Sequence, residues 1–165
     1  MKISKAVAGD ISSIMELIKK AIAVMLENGI DQWNEDYPSR EIIAEDIKAK
    51  SLFKITENGK IAGIIVLNEY QVPEYADLKW SAGGKPLVVH RLCLDPAFQG
   101  KGLSKQLMQF TEEYAVQKKY GSIRLDTYSK NFIALNLYDS LKYRRVGVIS
   151  FRAGKNFICF EKVLK

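Results

Sequence analysis

Leu94-Asp95-Pro96-Ala97-Phe98-Gln99-Gly100-Lys101-Gly102-Leu103-Ser104-Lys105 is the stretch on which the fold turns. An apolar run of strand type, Leu87–Leu94, is broken at Asp95-Pro96, because proline has no amide hydrogen to offer a sheet. Gly100 and Gly102 follow, and then Leu103, Leu107, Phe110 and Tyr114 recur at helical spacing. The segment reads as strand, turn and helix start. The first turn of a helix carries amide groups without internal partners. They lie at the positive end of the helix dipole. Glycine has no Cβ to keep a bulky anion away from the backbone. Such a corner suits a phosphate or pyrophosphate, although an ordinary strand-to-helix turn with incidental glycines shares the same local pattern. No GxxxxGK[S/T] loop is present. Gly100-x-Gly102 also lacks the third glycine of a dinucleotide fingerprint.

Working outward, Lys2 to Val7 reads as a first strand, and Asp10 as the cap of a helix with apolar residues at Ile11, Ile14, Met15, Ile18, Ile22, Met25 and Leu26. Asn28-Gly29 ends that helix. Ser39 caps a second, with Ile42, Ile43 and Ile47 inside. Strands Leu52–Thr56 and Ile61–Asn68 meet at the hairpin signal Asn58-Gly59. A long loop, Gln71 to Pro86, holds Pro73, Trp80 and Gly83-Gly84. After the central segment come a strand at Ser122–Thr127 and a helix capped by Asn131 with Ala134, Leu137, Tyr138 and Leu141 inside. Two last strands, about Arg144–Ser150 and Phe157–Val163, close the chain. The order β-α-α-β-β-β-α-β-α-β-β contains one strand-helix-strand unit, Val88 to Thr127, which implies a right-handed crossover between parallel strands. The hairpins imply antiparallel pairs. A mixed α/β (α+β) sheet of about seven strands with helices on its faces follows.

Bulk properties narrow the function. The 165 residues suit one domain, 1–165. The chain is 47% apolar and 27% charged, a composition that fills one core and is too polar for a membrane bundle. No apolar run approaches the roughly 20 residues needed to cross a bilayer, and the N-terminus has no signal-like apolar stretch, so a cytoplasmic location is the expectation. Cys93 and Cys159 sit in apolar surroundings without CxxC spacing, and there is a single histidine, so no metal site is expected. The net charge of +6 is spread along the chain without a dense run, which argues against nucleic acid as a partner.

At this point the residues resemble a known family. Gln99-x-x-Gly102-x-Ser104 resembles the pyrophosphate motif Q/R-x-x-G-x-G/A of the GNAT superfamily of N-acetyltransferases, with serine where glycine or alanine is usual. Arg91-Leu92-Cys93-Leu94-Asp95-Pro96 resembles the family's central strand and its exit. Asn131-Phe132-Ile133-Ala134-Leu135-Asn136-Leu137-Tyr138 resembles its later helix, whereas Lys142-Tyr143 stands where Gly-Phe is usual. The specific likeness covers about Val88 to Tyr143. It implies a mostly antiparallel sheet whose one parallel strand pair splays apart, and an enzyme using acetyl-CoA.

The resemblance also assigns roles. The pantetheine arm would lie beside Leu92, Cys93 and Leu94 as an added strand, with the Leu94 amide polarising the thioester carbonyl. Gln99, Gly100, Lys101, Gly102, Leu103 and Ser104 would cradle the pyrophosphate, Lys101 or Lys105 adding charge, and Asn131 would touch the cofactor arm while also serving as a helix cap. Tyr138 matches the general acid. A phenol near about 10 and a thiol near about 8.5 differ by only about 1.5 pKa units, so protonation of the departing thiolate is feasible. An alkylamine is neutral in only about one molecule in 2,500 at pH 7, so a base is also needed. His90 and Glu69 are the candidates, with a structural histidine inside the sheet as the alternative for the first. Nothing near Cys93 argues for a lowered pKa, so direct attack in a ternary complex is expected over an acyl-cysteine.

For the acceptor, the resemblance points to the connection Ile30–Pro38, where Trp33, Glu35 and Tyr37 place acid beside aromatic faces, as a cationic amine would require. The same residues also fit aromatics packed on the core with acids in water. Tyr75 and Trp80 would form the other wall. The expected partner is a small amine or amino acid, with a peptide amine or a non-catalytic acyl-CoA-binding module as alternatives, and a homodimer is compatible with the family.

Overall fold

Apolar spacing and caps place the helices where the sequence puts them. The computed structural model describes residues 1–165 throughout. Its elements are β1 (Lys2–Lys5), α1 (Ile11–Glu27), α2 (Arg40–Lys48), β2 (Leu52–Glu57), β3 (Lys60–Asn68), β4 (Pro86–Leu94), α3 (Leu103–Gln117), β5 (Ser122–Tyr128), α4 (Phe132–Ser140), β6 (Arg144–Phe151) and β7 (Lys155–Val163). This is the order read from the sequence. The sheet has seven strands in the order β1-β2-β3-β4-β5-β7-β6. No helix is long and apolar enough to cross a membrane.

The chain forms two compact units, Met1–Leu67 with Arg91–Met108, and Asn68–His90 with Gln109–Lys165. In the first, α1 buries Ile14, Leu17, Ile18 and Ala21, one helical stripe. These pack with Trp33, Ile43 and Ile64 in one apolar cluster. Each of the leucines and isoleucines contributes about 1.5–3 kcal/mol when fully buried. The cap expected from Asp10 is different in detail. Asp10 already has helical φ and ψ (−86° and −13°), and its side chain makes no cap to α1. A capping residue needs an extended backbone to aim its oxygen at the first turn. The carboxylate instead accepts the Val7 amide at 2.8 Å and pairs with Lys54 at 2.7 Å. Ser39, which is extended, does cap α2, its Oγ accepting the Ile42 amide at 3.2 Å.

The β2–β3 hairpin closes on Glu57↔Lys60. Its two loop residues, Asn58 and Gly59, have φ of 51° and 75°, the left-handed pair that a two-residue hairpin demands. Gly63 on β3 is glycine for space, because a Cβ there would lie 3.0 Å from the Cys93 carbonyl oxygen.

In the second unit β5 pairs with β7 along its whole length, from Ser122↔Val163 to Tyr128↔Phe157. β6 and β7 form a hairpin closing on Phe151↔Lys155. Its three loop residues, Arg152, Ala153 and Gly154, all have positive φ. β7 therefore starts two residues before the expected Phe157. The parallel ladder between β4 and β5 is short: Pro86↔Ser122, Leu87↔Ile123 and Val88↔Arg124. β4 continues to Leu94 and β5 to Tyr128 beyond that ladder.

The stripe expected on α3 is turned slightly. Leu103 and Leu107 are buried, but the buried positions farther along are Met108, Thr111 and Ala115, while Phe110 and Tyr114 are only half-buried. The long loop before β4 is not open coil. Pro73–Asp77 forms a 3-10 turn. The buried Glu161 carboxylate accepts the Ser81 amide at 2.7 Å and pairs with Arg124 and Arg144 at 3.6 and 3.3 Å.

Candidate active site

α3 begins directly after Gly102, whose carbonyl accepts the Gln106 amide at 3.1 Å as the first helical hydrogen bond. The amides of Leu103, Ser104 and Lys105 therefore have no acceptor within the helix. Gly100 and Gly102 have φ of 79° and 75°, and a Cβ built on either meets nothing within 4 Å. These left-handed turns put amides along an open corner that carries the helix's positive end. Leu103 and Leu107 are fully buried and fix the helix start. Lys101 is less available than its position suggests. Its ammonium pairs with Glu57 at 3.2 Å and lies 5.1 Å from the centre of the Phe98 ring. The geometry fits a diphosphate group held mainly by main-chain donors, with Gln99 exposed at the rim.

The preceding strand has a defined polarity. The Asp95 amide donates to the Ala62 carbonyl at 2.9 Å, so at this point β4 turns its odd-numbered backbone groups toward β3. Strand groups alternate. The Cys93 carbonyl also faces β3, as its closeness to Gly63 shows. Leu92 and Leu94 then present their amides to the opposite edge. That divides the expected trio by direction: the Leu92 and Leu94 amides turn away from β3, and the Cys93 backbone turns toward it. The Cys93 thiol is buried, and burial pushes it up to about 12, with the nearby Asp95 charge adding to the shift. Cys159 is pushed up to about 12 for the same first reason.

A family model described as "Acetyltransferase (GNAT) family" matches residues 19–143. The chain belongs to the GNAT acetyltransferase family. A GNAT-family acetyltransferase structure from Streptococcus agalactiae is 28% identical and superposes with a TM-score of 0.89 over 99% of this chain and 95% of that one. N-acetylaspartate synthetase of Xenopus tropicalis is 30% identical over 91 residues, 55% of this chain and 30% of that protein. N-alpha-acetyltransferase RimI of Mycobacterium tuberculosis is 35% identical over 60 residues, 36% of each chain. The matches thus span only about a third of these two relatives' length. The fold is shared with an N-acetyltransferase from Thermoplasma acidophilum solved with coenzyme A, at 18% identity and a TM-score of 0.73 over 99% of this chain and 98% of that one.

In this GNAT chain the candidate base His90 is tied to Asn68, Nε2 to Oδ1 at 2.8 Å. The same oxygen accepts the Tyr70 backbone amide at 2.9 Å. A backbone amide can only donate, so the Asn68 atom is its oxygen and His90 Nε2 carries the hydrogen. In the neutral ring the basic nitrogen is therefore Nδ1. Glu69, the other candidate, is exposed and already engaged, 2.7 Å from Lys85 and 2.7 Å from the Tyr120 hydroxyl. Its hydrogen bond from Lys85, then that from Tyr120, hold the carboxyl below its ordinary range, which makes it a weaker base.

Tyr138 lies buried on α4, 5.5 Å from the Phe160 ring and 6.1 Å from that of Tyr143. Burial, with a smaller effect of the Asp126 charge, pushes its hydroxyl well above the ordinary phenol range. The small gap to a thiol expected from free phenol is wider in this setting. Asn131 caps α4 by accepting the Ala134 amide at 3.1 Å.

The acceptor candidates separate. Trp33 is 4% exposed and belongs to the core cluster. Tyr37 packs edge-on against it at 6.5 Å. Glu35 faces water, as do Asp31 and Asp36. Trp33 and Tyr37 thus pack on the core while the acids face solvent. Trp80 is likewise employed within the fold. Its Nε1 donates to the Tyr75 carbonyl at 2.8 Å and the Arg124 guanidinium lies 4.3 Å from its ring centre. Tyr75 is 3% exposed and donates to Asp126 at 2.6 Å. Two features escaped sequence reading altogether: the Asp46–Arg91 pair, whose members are 45 residues apart, and Asn68, which fixes the tautomer of His90. Neither leaves a local sequence signal.

Proposed function

We propose that this GNAT chain transfers the acetyl group of acetyl-CoA to the primary amine of a small molecule, of amino-acid type. The carrying observation is the corner at Gln99–Ser104, where two left-handed glycines leave open space before the free amides of α3. Acetyl-CoA supplies an activated acetyl thioester. The chain's residues do the rest. The α3 amides neutralise the diphosphate, and the outward backbone of Leu92 and Leu94 holds the pantetheine arm. The Leu94 amide supports negative charge developing on the thioester oxygen. His90 takes the amine proton at Nδ1, its Nε2–H being held by Asn68. Glu69 is left out of this role by its ion pair. Tyr138, a phenol protonated at neutral pH, returns one to the departing sulfur. Attack is direct, because a thiol raised to about 12 offers almost no thiolate for a covalent route.

The amino-acid acceptor is favoured by the relatives named for N-acetylaspartate. The match to an N-alpha-acetyltransferase supports a second reading, a peptide α-amine. Thiol release from acetyl-CoA across free amino acids, alkylamines, polyamines and short peptides tests both. Turnover led by free amino acids supports the first reading, and turnover led by peptides the second. No turnover with any amine, while CoA still binds, refutes catalysis.

A further inference from the structure

Arg91 stands in the middle of β4 with φ of 50°, left-handed for a residue with a side chain. That conformation brings Cβ against the backbone, at a cost in energy that contacts of the side chain can offset. Nε and Nη2 each lie 2.7 Å from an oxygen of Asp46 on α2, a bidentate fork. Nη1 donates to the Tyr37 hydroxyl at 3.0 Å. The Arg91 and Asp46 side chains are only 12% and 10% exposed. Asp46 is itself anchored, its carbonyl accepting both the amide and the hydroxyl of Ser51 at 3.0 and 3.1 Å. The kink falls just past the end of the β4–β5 ladder at Val88 and just before Leu92.

We propose that Asp46 and Tyr37 are positioning residues that act through Arg91, holding β4 in the left-handed kink that presents the Leu92 and Leu94 amides to the donor's pantetheine arm. This rests on the donor reading above. It also makes the α1–α2 connection, through Tyr37, part of the device that shapes the donor strand.

Glycine separates clamp from kink, since it enters the left-handed region without help. We compare Arg91→Gly/Asp46→Asn with Arg91→Ala/Asp46→Asn, so that neither leaves an unpaired buried carboxylate. Calorimetry reads binding of CoA and of adenosine 3′-phosphate 5′-diphosphate, which keeps the diphosphate and lacks the arm. The alanine variant loses about tenfold or more in CoA affinity, and the glycine variant recovers at least about fivefold of it. The truncated nucleotide binds all forms alike. Wild-type CoA affinity in the alanine variant overturns the proposal, as does a glycine variant no better than alanine. Parallel loss of both nucleotides marks a merely structural role and overturns it too. Should the double variants not fold, Tyr37→Phe decides: a loss of about two- to fivefold for CoA alone is expected, and equal affinity overturns the assignment. Wild-type protein that binds neither nucleotide defeats the donor reading itself, a different result from any of these.

Discussion

Replacing Gly102 by aspartate puts a charge where the diphosphate is proposed to rest, and the structure lets the cost be apportioned. A Cβ at Gly102 meets no atom within 4 Å, so the protein itself is not crowded. The backbone is left-handed at φ 75°, which costs an ordinary residue about 1–2 kcal/mol and aspartate somewhat less. A carboxylate at a helix N-terminus returns about 0.3–1 kcal/mol. Net destabilisation should be about 1 kcal/mol, or about 2–4 °C in Tm for a chain of this size. Binding is another matter. At about 5 Å and an effective dielectric of about 20, each like charge costs about 3 kcal/mol, which is more than a hundredfold in Kd. Gly102→Asn is the control, with the same bulk and no charge. Calorimetry with CoA should show Asp weaker than Asn by about a hundredfold, while melting curves stay close to wild type. Equal CoA affinity in the two variants would refute the cradle, because the charge would then be far from any phosphate.

Tyr138→Phe should lower kcat by about a hundredfold or more with CoA affinity unchanged, and an unaltered rate removes the acid. Glu69→Gln should leave kcat within about twofold, since the carboxyl is already held by Lys85 and Tyr120; a drop near the about hundredfold scale of general-base loss would return the base role to it. At pH 8 a thiol at about 12 is ionised in about one molecule in ten thousand. Ellman's reagent should therefore label neither cysteine in native protein and both after denaturation, and rapid native labelling of Cys93 would revive an acyl-cysteine. Glu161→Gln should destabilise by about 3–5 kcal/mol, read as a fall in Tm, because Arg124 loses a buried partner.

Local sequence is enough to specify the order of elements, the caps at Ser39 and Asn131, the hairpin at Asn58-Gly59 and the glycine corner before α3. Each depends on neighbours within a few residues: apolar spacing, an oxygen three residues from a free amide, or a φ that only a few residue types accept. Contacts between residues far apart in the chain set the surroundings of each candidate side chain. Trp33 and Trp80 looked like pocket walls because an aromatic ring is equally suited to a core and to a ligand. Burial of Trp33 in the core and stacking of Trp80 under Arg124 settle their present contacts. The tautomer of His90, the ion pair that weakens Glu69 and the Arg91 fork all join residues far apart in the chain. Their chemistry is set by distances of about 3 Å that no local pattern encodes.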